Sequence, residues 1–297
     1  MRASLQQDFI SAPRGVRRQV PLLYFNILCI GALLTLAVQA RIQDNFEKRY
    51  FEDLAKTVVM GQSKPSEDSV ILGTLHLTHQ LLESRSQLLA KTTAAAIPLC
   101  SFSPSLTQDL LTAGGACGSY SDVLCELLQC LGFRTRIAQM KVGGHFGGHI
   151  VTETMTGKGW VVLDAMFDQY FITPTGKLAS FKEVSRCWDF YRQQTKKGYD
   201  SDYCYSDVRY TNWNKLPVIM PLCKKTLTLF LGEQRVNELS LRPLFLRKFR
   251  LYCYVLLLLD LLIVIATLKR FYRRLPDPPF PRASYQKLRS LKNRPGV

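Results

Sequence analysis

Three residues in the middle of this 297-residue chain have the types and the order needed for acyl transfer: Cys117, His149 and Asp164. Cys117 precedes Leu124, Leu127, Leu128 and Leu131, a stripe at helical spacing that predicts an amphipathic helix over 117–131 with the thiol at its start. A helix N-terminus offers unpaired amides and the positive end of the dipole, and both favour thiolate over thiol. Thiolate is the form that attacks carbonyl carbon. Gly148–Met155 and Trp160–Asp164 read as extended runs around a turn at Thr156-Gly157. Closing the hairpin there pairs Met155 with Lys158 and sets His149 directly opposite Asp164. Directly opposed residues share a face, with Cβ atoms roughly 4.5–5.5 Å apart. A carboxylate beside an imidazole orients the ring and stabilises its charged form. The stretch therefore supplies an activated nucleophile and an oriented base.

Each feature has a plainer reading. A lone Cys starting a helix is usually structural, and a cross-strand His/Asp pair is often only a surface pair. Order and closeness within one stretch favour chemistry. His145 is the competing base, and the same register would pair it with Asp168 if the hairpin ran on. His145 and His149 could share a metal only on a helix, which the surrounding glycines disfavour. His76 and His79 sit one turn apart on a predicted helix, Val70–Thr92, with no third ligand nearby, so packed or solvated histidines are the simpler reading. The expectation is no cofactor and no metal.

The elements that must position these groups are the 117–131 helix capped by Gly132, a strand near Phe133–Met140, the glycine-rich Gly143–Gly148 and the hairpin. Residues 114–164 resemble the core of the transglutaminase-like superfamily, relatives of the papain-like cysteine peptidases. GGACGSYSDVLCELLQCLGFRTRIA resembles that family's nucleophile helix followed by LG-x-x-x-R, and GHIVTETMTGKGWVVLD resembles its His strand and Asp strand. Glu153, four after His149, and Trp160, four before Asp164, also fit. The resemblance maps the family's Cys, His and Asp onto Cys117, His149 and Asp164. It covers 51 residues of 297 and implies an α+β, papain-like fold. It makes hydrolysis of a peptide-like bond as strong an expectation as crosslinking. Two positions depart from the pattern, Val151 two after the His and Ala165 after the Asp, and these bear on substrate contacts more than on catalysis.

Hydrophobic content of 47% with 21% charged residues excludes wholesale disorder. The net charge of +16 is unevenly placed: residues 1–20 carry four Lys/Arg and one acid, and residues 269–297 carry nine and one. That is not the even basic surface of a nucleic-acid binder, and no nucleic acid is expected as partner. Between each tail and the middle lies an apolar run, 21–40 without charge and 251–268 with Asp260 alone. Both read as membrane helices. The first also has a signal-peptide reading, but its apolar run exceeds that of a usual signal, so an uncleaved anchor is favoured. The organisation expected is a basic tail 1–20, a membrane helix 21–40, a transglutaminase-like domain 41–250 with its core about 70–170, a membrane helix 251–268 and a basic, Pro-containing tail 269–297. The positive-inside rule puts both tails in the cytoplasm and the middle on the extracytoplasmic side.

The middle holds seven cysteines, Cys100, Cys117, Cys125, Cys130, Cys187, Cys204 and Cys223, an odd number that leaves at least one free thiol in an oxidising compartment. Phe181–Gln194 reads as a helix and 198–213, rich in Tyr and Asp, as an ordered loop. Asp260 needs a partner inside the membrane, and depth matching points to Asn26 on the first helix or to water, with the two helices packed together and a second membrane protein or a second copy as the alternative. The functional expectation is a membrane-anchored cysteine enzyme acting on amide or peptide-like bonds. The alternative is a catalytically silent scaffold on the same fold. The partners expected are a peptide or amide-bearing substrate and membrane lipid.

Overall fold

A computed structural model describes residues 19–60, 64–89, 105–111 and 116–273. Most of both basic tails, Cys100, Gly114-Gly115 and the proline-rich 275–281 lie outside the described residues. The described chain falls into two units, residues 19–40 with 252–273, and Arg41–Leu251.

The first unit is a pair of apolar helix segments. α1 (Gln19–Val59) is one continuous helix of 41 residues that extends past the expected membrane run of 21–40. α9 (Lys248–Tyr272) is the second. Both are long and apolar enough to cross a membrane. Ala37, Ala40 and Cys253 bury against each other with Leu256 beside them, small residues that let the helices approach. The polar link is not the one expected: Asn26 Nδ2 donates to Thr267 Oγ1 at 2.8 Å, and Asp260 Oδ1 has no partner among the described residues. Depth matching compared only Asn26 with Asp260, and Thr267, a less conspicuous polar residue, meets the amide instead.

The second unit mixes helices with one antiparallel sheet. Its elements run α2 (Glu67–Leu89), α3 (Leu106–Leu111), α4 (Cys117–Cys130), β1 (Thr135–Val142), β2 (His145–Thr156), β3 (Gly159–Asp164), β4 (Gln169–Tyr170), α5 (Phe181–Arg186), α6 (Trp188–Arg192), β5 (Val208–Arg209), α7 (Ile219–Leu231) and α8 (Glu233–Asn237). The strand order is β4-β3-β2-β1-β5. Alternation puts Ile137 and Leu163 on one face, packed with Leu124, Leu127 and Leu128 of α4 and Leu75 and Leu82 of α2. Ala138, Met140, Val151 and Val162 face the other way onto Phe171, Phe181, Val184, Tyr191 and Tyr205. Each fully buried Leu of α4 contributes roughly 1.5–3 kcal/mol. Buried side chains lie outside 70–170 as well, including Phe51 and Tyr205. The expected single helix over 181–194 is two short ones, broken at Cys187, whose φ of −129° is not helical.

Two glycine sites shape the sheet around the site. Gly132, at φ 88°, ends α4: its amide bonds Gln129 O and the Phe133 amide bonds Leu128 O, which satisfies two terminal carbonyls and turns the chain into β1. On β2 the pairing with β1 shifts between Met140 and Lys141, so Gly147 and Gly148 form a bulge just before His149. Gly147 has φ 93°, and a Cβ on Gly148 would sit 2.6 Å from that of Val142. The bulge lets β2 reach His149 in register with Met140.

The β2–β3 hairpin turns at Gly157-Lys158, not at Thr156-Gly157, and pairs Met155 with Trp160 and Thr156 with Gly159. Relative to the expected register the strands are displaced by two residues. A displacement of one would flip every side chain, but a displacement of two keeps each face. His149 and Asp164 thus remain on one face but meet diagonally, since the register continued from Thr152–Leu163 places Val151 beside Asp164.

Candidate active site

Cys117 is the first residue of α4, and its N-cap, Ala116, provides no side-chain hydrogen bond to the helix amides. The helix is clamped to the sheet one turn later. Ser121 Oγ donates to Ile150 O at 2.9 Å, and Thr152 Oγ1 donates back to Ser121 O at 3.1 Å. This reciprocal pair fixes the thiol end of α4 against the part of β2 that carries His149. On the helix's other side Arg242 forks onto Asp122, with Nε and Nη2 donating at 2.8 and 2.7 Å to its two oxygens. The guanidinium passes so close to Gly118 that a Cβ there would lie 2.9 Å from Nη2.

His149 is wholly buried. Its Nε2 meets Asp164 Oδ2 at 2.6 Å, and because a carboxylate only accepts, Nε2 carries the proton. Asp164 is itself held: the Met166 amide donates to Oδ1 at 3.2 Å and the Tyr199 hydroxyl to Oδ2 at 2.9 Å. Nδ1 is the ring nitrogen left for the thiol. It makes no hydrogen bond of regular geometry among the described residues, yet Cys117 and His149 are close enough to shift each other's titration through hydrogen bonding and charge. Such contacts are commonly loose before substrate binds.

Burial pushes the Cys117 thiol up, but the loose polar contact with His149, the imidazole's charge and a backbone bond from Ile150 outweigh it and hold the thiol below its ordinary value. Burial pulls His149 down, but hydrogen bonds with Asp164 and Cys117 and the negative charge of both lift it to about 9. Both directions favour a thiolate–imidazolium pair. The same helix supplies an internal control. Cys125 and Cys130 also sit on α4, and burial pushes each of them up to about 12. Only the cysteine beside the imidazole moves down.

The Tyr/Asp-rich loop after α6 covers the pair. The ring of Tyr203 stacks on His149, and Phe167 meets both edge-on at 6.0 Å. Tyr199 bridges Asp164 and the buried Tyr205 hydroxyl, 2.9 Å from each. In the sequence this stretch reads as ordered loop, with no motif marking its part in the site. Its signal was the density of tyrosines, Tyr199, Tyr203 and Tyr205, in a segment without helical or strand periodicity.

The structure brings together Cys117, His149 and Asp164. It sets apart the other candidates. His145 pairs with Val142 at the exposed start of β2. Asp168, its expected counterpart, instead bonds His76 Nδ1 at 3.2 Å and Lys196 Nζ at 2.7 Å. His79 Nδ1 donates to Ala165 O at 3.1 Å, holding the backbone next to Asp164. Among the described residues no three His, Cys, Asp or Glu side chains group as metal ligands. The eight described cysteines are all free thiols. Three further residues quoted for the resemblance form one cluster: Arg136 lies between the rings of Trp160 and Tyr210, 4.1 and 4.0 Å from their centres, and its Nε donates to Glu153 at 2.9 Å. Comparison with family models, with curated proteins and with solved structures finds no match in any of the three.

Proposed function

We propose that the chain is a membrane-anchored cysteine acyl-transfer enzyme with a transglutaminase-like core. The observation that carries this reading is the hydrogen-bonded His149–Asp164 pair beside the one thiol of α4 whose pKa is lowered. In this reading the Cys117 thiolate attacks the carbonyl carbon of an amide or peptide-like bond. The oxyanion forms against the first amides of α4. His149, protonated, gives its proton to the departing amine as the C–N bond breaks, and a thioester remains on Cys117. Water or a second amine then attacks the thioester, His149 takes the attacker's proton, and the thiolate leaves. Asp164 keeps the imidazole aimed throughout. Water as acceptor makes the enzyme a hydrolase, an amine makes it a transamidase.

The runner-up is a silent scaffold on the same fold. One observation favours it: His149 has no exposed surface beneath Tyr203. Iodoacetamide alkylation of the full chain separates the two. An activated Cys117 alkylates fast near neutral pH and loses that rate in His149→Ala. Equal rates in the two proteins would leave only the scaffold.

The basic tails, residues 1–20 and 269–297, support a cytoplasmic position for both ends by the positive-inside rule, with the central unit on the extracytoplasmic side. Accessibility of a reporter fused at residue 200 tests this, and a cytoplasmic signal there reverses it.

A further inference from the structure

α7 (Ile219–Leu231) leaves a largely apolar face exposed. Ile219, Leu222, Cys223, Leu229 and Phe230 recur at helical spacing on one face, and that face points away from the domain. Leu222 is 62% exposed, Leu229 81% and Phe230 77%, and no residue of the helix is buried. The opposite side turns inward and is mixed: Lys224 and Thr228 line a concavity with Asp207 and Asn237, and Met220 and Leu227 are half-buried on the same side. An exposed apolar face of this kind, interrupted only by Thr226, marks a contact surface.

We infer that the apolar face of α7 lies in the headgroup layer of a lipid bilayer. Thirteen residues give about 20 Å of helix, too short for a hydrocarbon core of roughly 30 Å, so the helix lies on the bilayer and does not cross it. Lys225 flanks the apolar face, and an apolar face with a basic margin is the pattern of interfacial helices. Chain continuity supplies the occupant. Sixteen residues, 232–247, separate Leu231 from Lys248, where a helix of membrane length begins. That connection reaches at most about 60 Å, so α7 is tethered within reach of a bilayer that α9 enters. The inference rests on the membrane attachment proposed above.

The test uses the full chain reconstituted in phosphatidylcholine vesicles whose acyl chains carry a doxyl quencher. Single tryptophans replace Phe230 or Leu229 on α7, Leu258 within α9, and Lys177 on an exposed turn, each read against the parent's own tryptophans. Quenching at Phe230→Trp and Leu229→Trp, comparable with Leu258→Trp and absent at Lys177→Trp, is the expected result. Quenching at Leu258→Trp with none on α7 overturns this inference alone. No quenching at Leu258→Trp overturns the membrane attachment and this inference with it. Interchain crosslinking through Cys223 in unquenched α7 would assign the face to a second copy and overturn the lipid contact.

Discussion

The ring of Tyr203 lies flat on the imidazole of His149, with centroids 4.1 Å and planes 13° apart. A cation against an aromatic face gains on the order of 0.5–2 kcal/mol, more when water is excluded. Water is excluded here, since His149 is wholly buried. The charge of an imidazolium at this position is therefore met by Asp164 at one edge, by the thiolate of Cys117, and by a π face above. A loop more than fifty residues downstream of His149 completes the environment that a two-strand hairpin begins.

The pH dependence of thiol reactivity follows from that environment. Cys117 is held below the ordinary thiol value and His149 is lifted to about 9. Lowering a thiol's pKa means that thiolate is present at lower pH, so alkylation should rise with pH well before an ordinary cysteine would. A second change should come near pH 9, as His149 loses its proton and the thiolate loses its partner. In His149→Ala the lowering by the imidazole is gone; burial and the Asp164 charge push the thiol up, and only the backbone bond from Ile150 still opposes them. Less thiolate is then present at neutral pH, so the alkylation rate there should fall. A single step at the ordinary thiol value in the parent protein would contradict the ion pair.

The tyrosines of the loop should separate by role. Tyr199→Phe removes a donor to Asp164 and the partner of the Tyr205 hydroxyl, which is fully buried. An orphaned buried hydroxyl costs about 1–3 kcal/mol. Tyr203 contributes its ring, so Tyr203→Phe should lie within about 0.5 kcal/mol of the parent. Thermal unfolding of the detergent-solubilised chain gives both values, and equal losses in the two variants would refute the division.

The helix that begins at Cys117 was legible because its leucine stripe has one period and a glycine ends it. The faces of β2 and β3 were legible because alternation fixes them. The exact partner across the hairpin was not, because shifting the turn from Thr156-Gly157 to Gly157-Lys158 changes register by two and leaves every face intact. The bulge at Gly147-Gly148 was seen only as glycine content, since the neighbour that demands it, Val142, comes close only once the strands pair. Tyr199 and Tyr203 were invisible as site residues for a similar reason. Their contacts are long-range in sequence, and no local period marks a loop that folds back over an imidazole.

Arg136 should prove a strut of the sheet. It is stacked between Trp160 and Tyr210 and bonded to Glu153, which is 1% exposed and also accepts from the Tyr210 hydroxyl at 2.7 Å. Breaking a buried ion pair from one side strands a charge and costs about 3–5 kcal/mol. Arg136→Met should therefore destabilise by about that much in thermal unfolding. Replacing both partners removes the stranded carboxylate, so Arg136→Met with Glu153→Met should cost less than the sum of the single changes. Strict additivity would show that the two side chains do not act as a pair.

Within the apolar helix pair the coupled residues should be Asn26 and Thr267, not Asn26 and Asp260. The amide of Asn26 donates to Thr267 Oγ1 at 2.8 Å, while Asp260, only 9% exposed, keeps Oδ1 unpaired among the described residues. Interhelical hydrogen bonds in membranes average about 0.6 kcal/mol by double-mutant cycle. Asn26→Leu with Thr267→Val should therefore show a coupling near that size in unfolding of the full chain by a denaturing detergent. Asn26→Leu with Asp260→Leu should be additive, because those side chains share no bond. An acid at the centre of a membrane helix costs roughly 2.5–3.5 kcal/mol on the translocon scale, so Asp260→Leu on its own should stabilise the isolated chain. If Asp260→Leu instead lowers protein level in cells, the carboxyl is being satisfied by another membrane segment, from a partner or a second copy, and co-purification with the parent but not the variant would identify it.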